Sequence, residues 1–291
     1  MRIAQYDGRL TLLTGDGGID VERATGGRFG TSVLDALERW SEFRDTVAGL
    51  TAPTHAIDPA RLGAPVPLSR QVFGIGLNYR DHAAEAGIPD EQLPTAPTVF
   101  TKFPTSTTGP NATVELPSST VDYEVELVVV IGDRAERVPE EAAWGHVAGL
   151  MVGQDLSERT VQLAGPVPQF SLGKSFPGFS PLGPALVTLD EIPDPDALDI
   201  GCRIGDEVLQ AGNTKDLLFG VPALIAALSR VCPLLPGDTI WTGTPAGVGM
   251  GRTPQRFLRP GQTLVSSISG IGELHTLFVA ADAVEHTSEG A

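Results

Sequence analysis

The segment Asp122-Tyr123-Glu124-Val125-Glu126 sets acids at every second position of a run, Val121 to Ile131, that otherwise reads as a buried β-strand. Strand side chains alternate faces, so Asp122, Glu124 and Glu126 point one way, followed by Val128 and Val130. Tyr123, Val125, Leu127, Val129 and Ile131 fill the other face. Both faces are apolar toward the C-terminal end, which predicts a strand covered on both sides. Buried like charges on one face repel unless a cation or a set of donors compensates them, and a hard divalent metal is the simplest compensation. A further acid, Asp155, follows the apolar run Val147 to Gly153 and would sit at the mouth of a second strand. Glu-x-Glu plus a distant Asp, with no His or Cys nearby, suits Mg²⁺, Mn²⁺ or Ca²⁺ rather than Zn²⁺. The competing reading is a half-exposed strand whose acids pair with Arg or Lys. Asp122, nearest the strand's start, is expected to be solvated or to stand outside the coordination sphere.

Acid–base chemistry has its own candidate. Asn78 to Gly87 reads as a short helix with Asn78 as N-cap, Gly87 as the stop and Pro89 beyond. His82 and Glu85, three apart, share a face of it. A carboxylate beside an imidazole orients the ring and raises its basicity, as activation of water near neutral pH requires. The bland alternative is a surface helix with a chance pair.

These side chains need a scaffold. Residues 1–66 read as a small N-terminal α+β domain: a hairpin at the Asp7-Gly8 turn, a helical pattern from Val33 toward Val47, then a Pro-bearing linker. Residues 67–285 read as the main domain and 286–291 as a disordered tail. In the main domain, strand-like runs recur between Gly and Pro punctuation, with helices evident only at Tyr79–Ala86, Pro139–His146 and Val221–Val231. Gly (34) and Pro (24) make about a fifth of the 291 residues, which favours short strands and turns. The fold class is therefore a mixed, β-rich α+β.

A net charge of −16 and a pI near 4.6 oppose binding to nucleic acid or to an anionic membrane. No apolar run reaches the length of a membrane span, no charged and apolar leader opens the chain, and the two cysteines, Cys202 and Cys232, suit small core positions. A cytoplasmic location is the expectation. No Gly-x-Gly-x-x-Gly opens a βαβ unit, and Gly243 to Gly247 lacks the Gly-Lys-Ser/Thr of a phosphate-binding loop.

Gly76-Leu-Asn-Tyr-Arg-Asp-His-Ala-Ala-Glu85, Asp122-Tyr-Glu-Val-Glu126, Gln154-Asp-Leu-Ser-Glu-Arg159, Leu172-Gly-Lys-Ser-Phe176, Pro236-Gly-Asp238 and Thr242-Gly-Thr-Pro-Ala-Gly-Val-Gly249 together resemble the fumarylacetoacetate hydrolase family, over about residues 70–280. The resemblance implies a catalytic domain of mixed sheets rolled into a β-barrel-like core, behind a small N-terminal domain, in a homodimer. It implies that Glu124, Glu126 and Asp155 hold Mg²⁺ or Mn²⁺, with Ca²⁺ as a further candidate. His82 and Glu85 would form the catalytic dyad, Lys174 would face the substrate, and Thr244 would contact its carboxylate. Arg80, Arg159 and Gln162 join them as substrate-binding candidates, Arg159 and Gln162 being equally suited to bracing their loop. Lys102 reads either as a barrel-edge charge or as a second cation near the site. Pro177 and Gly178 follow Lys-Ser-Phe where relatives commonly carry an Asp, which implies the loss of one polar substrate-facing or lid contact, while Gln154, in place of the commoner Asn, and Gln262, where an Asp is frequent, are departures that touch neither ligand nor base.

The implied chemistry is hydrolysis of a C–C bond in an acylpyruvate-like 2,4-dioxo acid through a metal-bound enolate, as in aromatic catabolism. The alternatives are a decarboxylase or isomerase of 2-oxo or 2-hydroxydienoic diacids, which reuse the enolate, and a non-catalytic metal-stabilised protein.

Overall fold

A computed structural model describes residues 1–15 and 17–281; the tail 286–291 expected to be disordered lies outside the described residues. The largest sheet runs in the order His55–Ala56, Gly17–Asp20, Arg9–Thr14, Arg2–Tyr6, Ser180–Val187, Val147–Gln154, Val125–Ile131, Thr239–Trp241, Val72–Gly76, Thr98–Thr101. A second sheet orders Glu207–Asn213, Asp199–Ile204, Thr263–Ile268, Gly272–Ala280 and Asn111–Leu116. Most pairings are antiparallel, with parallel pairs such as Thr239–Trp241 on Val72–Gly76. The mixed β-rich expectation holds. No sheet closes into a barrel among the described residues, each ending in two different edge strands.

The alternation along Val121–Ile131 is as expected. Val121, Tyr123, Val125, Leu127, Val129 and Ile131 enter a core shared with the second sheet through Val114, Leu264 and Phe278. Val128 and Val130 enter another core with Phe29, Trp40, Phe43 and Trp241. The central strand is thus buried on both faces, and its acids sit where one apolar face begins.

Two expectations need correction. The run 121–131 is not one strand: Val121–Asp122 pairs with Ser157–Glu158, and Val125–Ile131 pairs with Val147–Gln154. Between them, side-chain oxygens take the backbone N–H groups that a ladder would take. Asp122 Oδ1 accepts from Tyr123, Gln154 Oε1 from Glu124 and Gln210 Oε1 from Val125. Arg2 and Ile3 pair with Val187 and Leu186, so the N-terminal strands extend the main sheet while Trp40 and Phe43 cover its face. The predicted 33–47 helix is broken at Arg39 into Val33–Glu38 and Trp40–Val47.

Candidate active site

The three acids converge. Glu124, Glu126 and Asp155 are buried, and one oxygen from each lies within 4.8 Å of the others. The break at Tyr123–Glu124 turns Glu124 inward, and the Asp155 N–H donates to the Glu124 carbonyl at 2.8 Å, locking the two strand ends together.

Cations reach two of the three. Lys174 Nζ donates to Glu124 Oε2 at 2.7 Å, Asp155 Oδ2 at 2.7 Å and Ser157 Oγ at 2.8 Å. Buried Lys102 donates to Asp155 Oδ1 and to the carbonyls of Lys174 and Phe179, so it is the second cation rather than an edge charge. Arg159 Nη2 donates to Glu124 Oε1 at 2.6 Å. Burial pushes the Glu124 carboxyl up, but Lys174 and Arg159 outweigh it and hold it below the usual carboxylate range. Glu126 differs. It accepts the Gly243 N–H at 2.9 Å and has no ion pair among the described residues. Burial, then the charge of Asp155, pushes its carboxyl well above the usual range.

Asp122 is not solvated. It is fully buried, and Oδ2 accepts from Arg159 Nε at 2.9 Å, Arg159 Nη2 at 2.7 Å and the Met250 N–H at 2.9 Å, while Oδ1 accepts the Gly249 N–H at 2.7 Å. The cluster therefore holds four carboxylates (Asp122, Glu124, Glu126, Asp155) against three cations (Lys102, Arg159, Lys174). Oxygen-only donors and a poorly compensated Glu126 fit a hard divalent cation. Asp122→Asn takes from the buried guanidinium one of its two carboxylates and leaves it Glu124, so the variant is expected to lose about 2 kcal/mol of stability in urea unfolding. A loss below about 1 kcal/mol would show that Arg159 does not depend on it.

The dyad assembles from the other side. Helix Arg80–Glu85 follows strand Val72–Gly76, and His82 Nδ1 lies 3.3 Å from Glu85 Oε2. That contact places the ring proton on Nδ1 and leaves Nε2 as the acceptor. Both Glu85 oxygens accept the Gly247 N–H, at 3.0 and 3.2 Å. Asn78 is not the helix cap; that place falls to Tyr79, without a side-chain bond. Asn78 instead donates to the carbonyls of Phe219 and Thr242 and accepts from the Phe219 N–H, fastening the helix start beside the turn that serves Glu126. The chain from Gly243 to Gly251 thus touches both halves of the site. Close approach demands its glycines: a Cβ on Gly249 would lie 1.9 Å from the Arg256 carbonyl oxygen, and one on Gly251 2.5 Å from Glu85.

His82 of the dyad and Glu124 and Glu126 of the triad border one cavity of about 200 Å³, lined also by Arg159, Gln162, Lys174 and Thr244. Gln162 Oε1 accepts from Arg159 Nη1 at 2.7 Å, which directs the amide nitrogen elsewhere. Arg159 braces Asp122, Glu124 and Gln162 at once. Thr244 reaches the cavity, but its hydroxyl donates to the Val125 carbonyl and accepts from Gln210 Nε2. Arg80 does not line the cavity; it is exposed and pairs with Asp90 at 2.8 Å. Gln210 did not stand out in the sequence, because Glu207–Asn213 carries few apolar residues and shows no strand signal.

The segment from Asp81 to Leu93 carries His82, Ala86 and Ile88 to the cavity while most of its other side chains face solvent. Amide exchange in this segment is expected to slow when Mn²⁺ and oxalate are added together. Unchanged exchange would make it a fixed wall.

Residues 71–279 match the family described as fumarylacetoacetate (FAA) hydrolase C-terminal. A Burkholderia cenocepacia (strain HI2424) protein, named only as a candidate hydrolase, is 47% identical over 238 residues, 78% of this chain and 83% of that one. The crystal structure of a candidate HpcE protein from Mycobacterium smegmatis superposes with a TM-score of 0.91 at 52% identity, covering 97% of this chain and 100% of the other. Maleylpyruvate hydrolase from Sphingobium sp. SYK-6, solved with manganese(II) and pyruvate, gives 0.78 at 29% identity over 97% and 100%.

Proposed function

The chain belongs to the fumarylacetoacetate hydrolase family, and from that premise we propose that it is a divalent-metal-dependent enzyme cleaving a C–C bond in an acylpyruvate-like 2,4-dioxo acid. The observation that carries the reading is that an oriented imidazole borders one cavity with Glu124 and Glu126, two members of a three-carboxylate cluster. Solution of a related hydrolase with manganese(II) and pyruvate supports a 2-oxo acid as the part of the substrate held at the carboxylates.

Glu124, Glu126 and Asp155 would hold Mg²⁺ or Mn²⁺, which when bound supplies a Lewis acid that stabilises negative charge on the oxo acid by several kcal/mol. His82 Nε2 takes a proton from water as the oxygen attacks the carbonyl carbon remote from the carboxylate. Glu85 holds the imidazolium that results. The Gln162 amide and the positive charge of Lys174 stabilise the oxygen of the attacked carbonyl. Lys174 acts there by charge, because its three N–H bonds are directed at Glu124, Asp155 and Ser157. The bond between carbons 3 and 4 then breaks, its electron pair passing to carbon 3 as the enolate of pyruvate. Return of the proton from His82 completes pyruvate and a carboxylic acid. Decarboxylation needs no attacking water, so the oriented base favours hydrolysis.

Homodimerisation, a place in aromatic catabolism and a cytoplasmic setting belong to the same proposal; no helix among the described residues is long and apolar enough to cross a membrane. A panel of acylpyruvates, oxaloacetate and hydroxymuconate-type diacids, followed by ultraviolet absorbance in Mg²⁺, tests it. Acylpyruvates should lose their dioxo absorbance and yield pyruvate. Turnover of the diacids alone would replace the reading with a decarboxylase or isomerase, and turnover of none would leave a non-catalytic protein.

A further inference from the structure

Apart from His82, Glu124, Glu126, Arg159, Gln162, Lys174 and Thr244, the cavity is lined by carbon, with Leu77, Ile88, Phe100, Leu163, Phe170 and Met250 forming most of that apolar wall. Phe100 and Phe170 meet edge-to-face with ring centroids 5.8 Å apart, which fixes that part of the wall. The lysine and arginine that line the cavity face the cluster and are spent on it. Lys174 directs its donors at Glu124, Asp155 and Ser157, and Arg159 is bound to Asp122, Glu124 and Gln162. Arg80, on the helix that carries the base, turns to Asp90 in solvent. A second carboxylate on the tail of a substrate would therefore lie against carbon with no cationic partner among the lining residues, at a cost. The volume, about 200 Å³, is below the roughly 300–1,000 Å³ of sites for drug-sized ligands, so the tail must also be short.

We infer that this cavity selects 2-oxo acids whose remote group is short, uncharged and apolar, and rejects diacids, with Ile88 and its neighbours as the specificity-determining wall. The inference rests on the reading above that the oxo-acid end sits at the carboxylate cluster.

The test is calorimetric binding to the Mn²⁺-loaded protein, which needs no turnover. From pyruvate to 2-oxobutanoate to 2-oxopentanoate, affinity should rise about fourfold per methylene. 2-Oxoglutarate should bind at least tenfold more weakly than 2-oxopentanoate. Ile88→Arg, which sets a guanidinium on the wall, should reverse that order. Equal or tighter binding of 2-oxoglutarate by the unaltered protein, binding of neither acid, or an order unmoved by Ile88→Arg in folded protein would overturn the inference. Turnover separates the two ideas. Cleavage of acylpyruvates with preference for a diacid tail defeats the wall and spares the reaction, whereas tail-selective binding with no cleavage of any acylpyruvate defeats the reaction and spares the wall.

Discussion

His82→Ala is expected to lower kcat on an acylpyruvate by about two to four decades, the usual cost of removing a positioned base. Metal affinity should stay nearly unchanged, because His82 is not one of the three clustered carboxylates. Glu85→Gln should lower kcat less, since the amide keeps an oxygen for the Gly247 N–H while giving up the charge that supports the imidazolium. The double variant should lose little beyond His82→Ala, because Glu85 acts on the reaction through the ring. Oxaloacetate adds a second axis. If its decarboxylation survives His82→Ala while acylpyruvate cleavage is lost, activation of water is the task of the dyad. Rates near those of the unaltered protein on both substrates would remove the dyad from the mechanism.

Stripping divalent metal should abolish activity, and Mg²⁺ or Mn²⁺ should restore it; full activity in scrupulously metal-free protein would sink the assignment. Among the three acids the largest effect on metal affinity is expected at Glu126. Glu124 and Asp155 have lysine and arginine partners, whereas Glu126 has one backbone N–H and a carboxyl that burial holds toward its protonated form. A divalent ion is the partner that would let it ionise. Glu126→Gln should therefore weaken Mn²⁺ binding in calorimetry by at least tenfold while sparing the fold, because the amide removes a charge poorly tolerated without metal. Equal affinity would show that Glu126 is not a ligand.

How much of this was legible beforehand follows from range. Period-two spacing is a local signal, and it placed Glu124 and Glu126 on one face and Tyr123, Val125 and Leu127 on the other. The i,i+3 relation of His82 and Glu85 is local too. What escaped was the compensation of charge. The partners of Glu124 and Asp155 come from residues 102, 159 and 174, brought together by strand order rather than by spacing. The same holds for Asn78, which reads as a helix cap until its partners at Phe219 and Thr242 are known. The break at Tyr123–Glu124 escaped because a strand pattern says nothing about side-chain oxygens, from Gln154 and Gln210, that outbid a ladder. Closure into a barrel depends on edge pairing between distant strands, on which local patterns are silent.

The turn from Gly243 to Gly251 hands one N–H to Glu126, another to Glu85 and two more to Asp122. One short piece of chain is therefore the ruler that sets the span between base and metal ligands, and a single inserted or deleted residue there would put the two out of step together. From Gly87 to Gln92, by contrast, the chain largely faces solvent and meets the cavity through Ile88. The molecule thus divides into a stretch that mutation can hardly touch and one on which substitutions are cheap, so a change of substrate can be reached from this chain without rebuilding its chemistry.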